Sequence, residues 1–134
     1  MMIEITREPI SPELVINKAR TDSSGCVVTY VGVIRDKSHG KPVLWVEYED
    51  PEGTAVSGLQ EIASEARQKW ELNNVAISHR TGRLNVGEIN LTVAIASAHR
   101  KEGIAACRFI IDRFKQSLPT RKREAYQDGS IRFG

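Results

Sequence analysis

Cationic residues at two points of the sequence have the types and positions to bind an anionic ligand. Arg35 closes an apolar, strand-like stretch just before the polar segment 36–40, where a side chain can reach a ligand from a rigid base. His99 and Arg100 fall in the first turn of a long predicted helix, where cations oppose the helix dipole unless a negative ligand offsets them. The ordinary alternative, for Arg35 in particular, is a solvated surface charge.

A third cationic group, Lys115, Lys122 and Arg123, flanks Pro119. Cations held close together favour the neutral form of a lysine, and a neutral amine can act as a base or a nucleophile. As isolated residues, the same lysines would be surface charges. The net charge of the chain is only +2, but residues 99–123 carry eight Lys or Arg against two acids, a local +6. This asymmetry points to an anionic partner or substrate.

A continuous helix would keep two of these groups apart. His99 and Lys115 are 16 residues apart, and at a rise of about 1.5 Å per residue their Cα atoms would be ~24 Å apart. One small metabolite cannot touch both side chains within one subunit. Either the chain has two different sites, or a symmetric dimer brings one end of the helix to the opposite end of its mate's.

Other kinds of site lack their sequence signatures. The chain has no GxxxxGK[ST], GxGxxG, HExxH or GxSxG motif. His39, His79 and His99 are not spaced as metal ligands, and the few aromatic residues form no series suited to RNA stacking. Cys26 and Cys107 have no CxxC spacing, so we expect buried free thiols in a reducing compartment. With no apolar run of 18 residues, the sequence predicts a cytoplasmic protein rather than a secreted or membrane one.

Length and composition predict one domain over residues 1–134, because the chain is 40% hydrophobic and 27% charged and contains neither repeats nor a linker. The element order predicts an α+β fold with a mainly antiparallel sheet, two main helices, a short N-terminal helix and a C-terminal hairpin. Predicted strands cover 3–6, 26–35, 43–49, 75–81 and 88–97, predicted helices cover 11–20, a segment opened by Asp50-Pro51, and 97–117, and the hairpin pairs 123–126 with 130–133.

Two details of this prediction concern how the elements are joined. Strands 26–35 and 43–49 are separated by about seven residues, too few for a parallel crossover, so we expect an antiparallel hairpin. The long helix should be capped by Ser97, and its buried stripe should be Ile104, Cys107, Ile110, Ile111 and Phe114.

The ordered motifs of the chain resemble those of the large, catalytic subunit of molybdopterin synthase. The likeness runs from about Ser24 to Asp128, and its most specific part is SAHR at 97–100 followed by Lys115 and KRE at 122–124. Its other carriers are Gly32-Val33-Ile34-Arg35, residues 61–70 (EIASEARQKW), His79-Arg80-Thr81-Gly82, Gly87-Glu88 and Pro119.

The resemblance implies an α/β-hammerhead fold and a homodimer with a small ubiquitin-like subunit at each end, forming a heterotetramer. That partner inserts a Gly-Gly tail ending in a thiocarboxylate, and the family converts cyclic pyranopterin monophosphate (precursor Z) into molybdopterin by adding two sulfurs as a dithiolene. No cofactor or metal is expected, and no cysteine of this subunit is needed, because the sulfur arrives on the partner. The residues matching substrate-binding positions are Val33, Ile34, Arg35, His99, Arg100, Lys115, Lys122, Arg123 and Glu124, with Lys115 and Lys122 as the catalytic lysines and with His99 and Arg100 supplied by the opposite subunit.

In the implied mechanism, the thiocarboxylate sulfur attacks the precursor, Lys115 assists proton transfer or stabilises an acyl-linked intermediate, and Lys122 polarises the tail carbonyl. Two alternatives stay open: an inactive homologue that only scaffolds the ubiquitin-like partner, and a basic nucleic-acid-binding module. Two features depart from the family pattern. Thr120 and Arg121 precede Lys122 where members commonly carry an aromatic residue, and the segment after Asp128 is short. Both departures concern the region where the partner would dock.

Overall fold

The computed structural model describes residues 1–134 and forms two β-sheets with three helices. The first sheet has the strand order β1-β5-β7-β2, in which only the β1–β5 pair is parallel. The second sheet is built around β4, which pairs with β3, β6 and β8, while β9 pairs with β8. The predicted α+β class and C-terminal hairpin are confirmed. The elements are β1 (Met2–Thr6), α1 (Pro12–Ala19), β2 (Cys26–Val33), β3 (Lys37–Ser38), β4 (Lys41–Glu49), α2 (Ala55–Lys69), β5 (Asn74–Arg80), β6 (Gly82–Asn85), β7 (Ile89–Ser97), α3 (Arg100–Gln116), β8 (Arg121–Tyr126) and β9 (Ile131–Phe133).

The first sheet is covered by helices on both faces. Val75 and Ile77 of β5 point into the main core, where α2 and α3 pack, whereas Ala76 between them faces α1. This alternation follows from the two-residue period of a strand. Helix α2 begins at Ala55, four residues after Pro51, because the Asp50 carboxylate accepts the backbone N–H groups of Thr54 and Ala55 at 3.1 and 3.2 Å. Helices α2 and α3 therefore pack on one face of the first sheet, and α1 packs on the other.

The expected hairpin between residues 26–35 and 43–49 is wrong. β2 pairs along its length with β7, and β4 belongs to the second sheet. The polar segment between the two strands forms β3 and a two-residue turn to β4, with positive φ at His39 (52°) and Gly40 (75°). Positive φ at both central positions is the geometry that closes a tight hairpin. The short connection therefore closes β3 onto β4 instead of β2.

The chain also crosses directly from the first sheet to the second at Thr81-Gly82, and the strand that follows, β6, was not predicted. Gly82 has φ 95°, and a Cβ atom there would lie 3.3 Å from the guanidinium of Arg7. Glycine tolerates both the positive φ and the close approach. β5 and β6 consequently continue from one sheet into the other, which brings the end of β5 against the second sheet.

The long helix α3 begins at Arg100, with His99 as its N-terminal capping residue. The predicted Ser97 cap is wrong, because Ser97 ends β7 and its hydroxyl donates to the carbonyl of His99 at 2.6 Å. The prediction that Ile104 is buried is also wrong, since Ile104 is 55% exposed. The buried side of the helix consists of Gly103, Ala106, Cys107, Ile110 and Phe114. Gly103 lies against Val28 and Ser97, so the start of α3 sits over the start of β2.

Candidate active site

A cleft of about 360 Å³ opens where the C-terminal end of α3 meets the second sheet. Aromatic and aliphatic side chains form much of its wall. Its charged side chains are Arg35, Lys37, Lys115, Lys122 and Glu124, which makes four cations against one carboxylate. The balance of charge suits an anionic ligand, and the apolar wall limits its access to water.

Lys115 enters this cleft from the last turn of α3. The residue before it, Phe114, is buried in the main core, so the backbone at this point is anchored while the Lys115 side chain is exposed. The C-terminal end of a helix carries partial negative charge and favours a cation. The sequence therefore places an ammonium group at the mouth of the cleft without another side chain to hold it there.

Lys122 enters from β8 and is held by a buried carboxylate. Its Nζ lies 3.0 Å from Oε1 of Glu124, and the other carboxylate oxygen accepts the hydroxyl of Tyr126 at 3.0 Å. Burial alone would raise the pKa of Glu124, but Ser38, Lys122 and Tyr126 together outweigh it and hold the pKa below its usual value. Glu124 is thus ionised, and Lys122 is an oriented cation.

Arg123 lies between these two residues in sequence but on the opposite face of the sheet. In the β4–β8 register Lys122 stands opposite Tyr48, whereas Arg123 stands opposite Glu47. The Arg123 guanidinium donates to the Glu47 carboxylate and lies 5.7 Å from the ring centre of Trp45. Because side chains alternate along a strand, the structure does not bring Arg123 to the cleft with its neighbours.

The segment Val33-Ile34-Arg35 reaches the cleft at the end of β2. Val33 and Arg35 are exposed, whereas Ile34 turns inward and packs with Val43 and Val46 of the second sheet. Arg35 therefore follows the end of a strand and lines the cleft, although the strand ends two residues earlier than predicted.

The structure does not bring His99 and Arg100 near Lys115. They lie at the opposite end of α3, in a shallow concavity of about 1,000 Å³ that also contains Cys26 and the exposed Ile104. Both side chains are exposed. The conclusion that one small molecule cannot touch His99 and Lys115 of the same chain holds in three dimensions. Cys26, predicted to be buried, is only half-buried there, while Cys107 is buried as expected.

Tyr48 and Asn90 also line the cleft, although no sequence motif marks them as site residues. The Asn90 amide donates to the Tyr48 hydroxyl at 3.0 Å, and both residues line the cleft beneath Lys122. Burial raises the pKa of Tyr48 to about 12, so it stays a neutral phenol. Single polar residues inside strands give no local signal of a site, because their meeting depends on which strands pair.

The structure contains neither a metal-binding cluster nor a membrane-spanning helix. No group of three His, Cys, Asp or Glu side chains is arranged to hold a metal ion. None of the helices combines the length and apolar character that crossing a bilayer requires.

The fold and cleft together define an α+β protein with a cationic candidate active site between two sheets. The model of a family described as MoaE protein matches residues 5–117. The molybdopterin synthase catalytic subunit of Bacillus subtilis is 39% identical over 126 residues, covering 94% of this chain and 80% of that protein. The corresponding subunit of a Nostoc species is 42% identical, covering 94% and 77%. The chain belongs to the MoaE protein family, whose curated relatives are molybdopterin synthase catalytic subunits, and the resemblance found in the sequence is confirmed.

Solved structures agree with this assignment. The crystal structure of molybdopterin synthase from Staphylococcus aureus matches with a TM-score of 0.90 at 31% identity, covering 98% of this chain and 95% of that one. A more distant match, with a TM-score of 0.76 and 14% identity, shares the fold. It comes from a complex of subunits 1 and 2 of the molybdopterin-converting factor from Helicobacter pylori, and covers 98% of this chain and 89% of that one.

Proposed function

We propose that this chain is the catalytic subunit of a molybdopterin synthase that acts as a sulfurtransferase. It takes sulfur from the thiocarboxylated C-terminal tail of a small ubiquitin-like subunit and adds it to cyclic pyranopterin monophosphate, forming the molybdopterin dithiolene. The observation that carries this proposal is the single cleft that receives both Lys115 and Lys122. The family membership supports the same activity.

The charge of the cleft fits both reactants. A cyclic phosphate and a thiocarboxylate are anions, and four cationic side chains face one carboxylate in the cleft. Charge-assisted hydrogen bonds can hold both anions at once, and holding two reactants in register removes much of the entropic barrier to their reaction. The apolar wall suits the pterin ring system.

The two lysines have different surroundings and therefore different proposed roles. Lys122 is held by its ion pair with Glu124, so it is suited to polarise the carbonyl of the partner's tail. Lys115 is exposed and has no carboxylate partner in the chain, so its amine is free to transfer a proton or to contact the acyl-linked intermediate.

The proposed chemistry balances without a redox partner. The thiocarboxylate sulfur attacks a carbon of the precursor side chain and displaces an oxygen bonded to that carbon, which departs as water or stays on the phosphate. A C–S bond thus replaces a C–O bond, and the tail is joined to the precursor through an acyl–sulfur bond. Water then cleaves the acyl–sulfur bond, releasing the tail as a carboxylate and leaving the sulfur on the product. A second loaded partner supplies the second sulfur.

A homodimer would complete the site by adding His99 and Arg100 from the opposite subunit. β2 is an edge strand of the first sheet, so one row of its backbone groups has no strand partner in this chain. A second copy paired antiparallel to β2 about a two-fold axis would place the start of one β2 beside the end of the other. His99 lies at the start of β2 and Lys115 at its end, so the pairing would bring the two residues together. The exposed Ile104 lies on the face that the copy would approach.

The body of the small subunit is proposed to dock on the outer face of the β8–β9 hairpin. Ile131 and Phe133 share that face and are 46% and 72% exposed. Gly134, the next residue, lines the cleft, and its N–H donates to the carbonyl of Lys122 at 2.9 Å. A partner seated there would have its tail next to Lys122. The chain from Helicobacter pylori that shares this fold comes from a complex of two subunits, which supports a partner subunit for this chain but not a particular docking face.

We place the reaction in the cytoplasm, because Cys26 and Cys107 are both free thiols and free thiols persist in reducing compartments.

The test is to incubate the purified chain with thiocarboxylated small subunit and cyclic pyranopterin monophosphate, and to look for two added sulfurs by mass spectrometry. Lys115→Ala should abolish product formation and leave small-subunit binding unchanged. Lys18→Ala, an exposed lysine on α1, is the matched control and should keep full activity. Product formation by Lys115→Ala at the wild-type rate would contradict the proposed role of Lys115.

This experiment and a nucleic-acid binding assay separate the two alternatives. An inactive scaffold would bind the small subunit, but neither the wild-type chain nor its two variants would add sulfur. A nucleic-acid-binding module would bind DNA or RNA with an affinity that falls steeply as salt is raised.

A further inference from the structure

His79 is a buried histidine that none of the proposed steps uses, although its motif is part of the family resemblance. It lies in β5, and its side chain is fully buried. Its Nδ1 is 2.8 Å from the carbonyl oxygen of Asn90, and its Nε2 is 2.9 Å from Oγ1 of Thr120. Because a carbonyl oxygen only accepts hydrogen bonds, Nδ1 carries the proton and Nε2 accepts the Thr120 hydroxyl. Both ring nitrogens are thus satisfied in one neutral tautomer.

The surroundings of the ring favour this neutral form. Burial lowers the pKa of His79 more than its hydrogen bond to Asn90 and the charge of Asp50 raise it. The two aromatic neighbours, Tyr48 and Phe114, present no charge to the ring. The contacts of His79 therefore suit a neutral imidazole that does not exchange protons. They hold the ring in one position between the elements around it.

The ring also packs between two elements that carry the cleft. Its centre is 4.9 Å from the ring centre of Tyr48 on β4 and 5.0 Å from that of Phe114 on α3, in both cases edge-on, with interplanar angles of 80° and 86°. Aromatic pairs in this arrangement attract each other beyond the area that they bury. His79 thereby contacts α3, β4, β7 and the segment that leads into β8.

These contacts lie directly behind the two catalytic lysines. Phe114 precedes Lys115, Thr120 is two residues before Lys122, and Tyr48 stands opposite Lys122 in the β4–β8 register. We propose that His79 is a positioning residue for sulfur transfer, which fixes the distance between Lys115 and Lys122 through its contacts with Phe114 and Thr120. This inference rests on the proposed function, because it assigns a task to a residue behind the same cleft.

The Thr120 hydrogen bond is the contact most open to a clean test. It is buried, and it anchors the short connection between α3 and β8 to the first sheet. Removing the hydroxyl would leave Nε2 of His79 without a donor and free the connection to shift. A displacement of about 1 Å can lower the rate of an enzyme by up to about 10²-fold when it moves a reacting group.

The experiment compares Thr120→Val, which keeps the shape of the side chain, with Thr120→Ser, which keeps the hydroxyl. We expect Thr120→Val to lower kcat for dithiolene formation about tenfold, with KM for the precursor changed less than about twofold. Thr120→Ser should stay within about threefold of the wild-type rate. Thr92→Val is the control, since Thr92 is fully buried but its hydroxyl has no hydrogen-bond partner, and it should leave kcat unchanged.

The possible outcomes are distinct. A role for shape alone predicts the reverse order, with Thr120→Val active and Thr120→Ser impaired, and that result would overturn the positioning role of His79. A wild-type chain that forms no dithiolene would instead overturn the proposed function. Nitrogen NMR of the wild-type imidazole gives a readout that needs no variant: the proton should be on Nδ1, and a proton on Nε2 would also refute the inference.

Discussion

The proposed sharing of one site between two protomers predicts a particular pattern of complementation between inactive protomers. β2 has eight residues and would be ~26 Å long at ~3.3 Å per residue, and α3 from Arg100 to Lys115 spans about 22 Å. The lengths match, and the start of α3 lies over the start of β2. Two copies paired through β2 would therefore set His99 of each protomer level with Lys115 of the other.

The experiment compares two heterodimers, each purified through two different affinity tags, one on each protomer. In the first, one protomer carries Lys115→Ala and the other carries His99→Ala. If His99 acts on the opposite protomer's site, one of the two sites keeps both residues, and we expect about half of the wild-type rate of dithiolene formation. In the second heterodimer, both substitutions are in one protomer and its mate is wild type. Neither site then keeps both residues, so we expect only the residual rate of the single-variant homodimers.

The assay is the initial rate of product formation at saturating small subunit, measured by mass spectrometry. A site contained within one chain would exchange the two results, with the first heterodimer inactive and the second at about half of the wild-type rate. That outcome, or a chain that is monomeric at assay concentration, would refute the argument from α3 and β2.

Three further predictions concern other parts of the molecule. Phe133→Asp should weaken small-subunit binding at least about tenfold by calorimetry, whereas Leu14→Asp, an equally exposed apolar site on α1, should not. Ile77→Ala should lower the free energy of unfolding by about 2–5 kcal/mol in a denaturant titration, because Ile77 is fully buried in the main core. Hydrogen bonds from Ser130, together with Lys41, lower the pKa of Asp128 from 3.8 to about 2. The ionised form therefore stabilises the fold above about pH 4, and this contribution is lost as the pH falls toward 2. Asp128→Asn should lower the melting temperature at neutral pH, and the difference from wild type should shrink at low pH.

Local patterns in the sequence were sufficient for the elements that depend on neighbouring residues. Apolar residues recur along helix α2 at helical spacing, and Leu59, Ile62 and Ala66 among them are buried on one side of the helix. The final hairpin follows from Asp128-Gly129 between two strand-like runs. The same approach failed for Ile104, because whether an apolar residue at the edge of a helix stripe is covered depends on what packs beside it.

Local patterns in the sequence did not predict which strands pair with one another. Residues 26–35 and 43–49 were each predicted to be strands, and the short connection between them predicted that they pair. In the structure β2 instead pairs with β7, which lies more than fifty residues further along the chain. Their separation into two sheets creates the cleft, since Arg35 leaves one sheet at the point where Lys122 projects from the other. Pairings of this kind are selected by the burial of whole sheet faces, which no short window of sequence contains.

By itself, the sequence determined which residues could do chemistry. Its basic C-terminal third and the order of its motifs indicated an anionic substrate, and the length of one helix indicated either two separate sites or one site shared by two subunits. Only the tertiary structure decided which of those residues meet. Because side chains alternate along β8, Arg123 lies on the face opposite Lys122. Lys122 forms an ion pair with the buried Glu124, and His79 lies behind both lysines. The reason is that residue types and spacing along a chain carry local chemistry, whereas the register between distant strands sets the direction in which each side chain points.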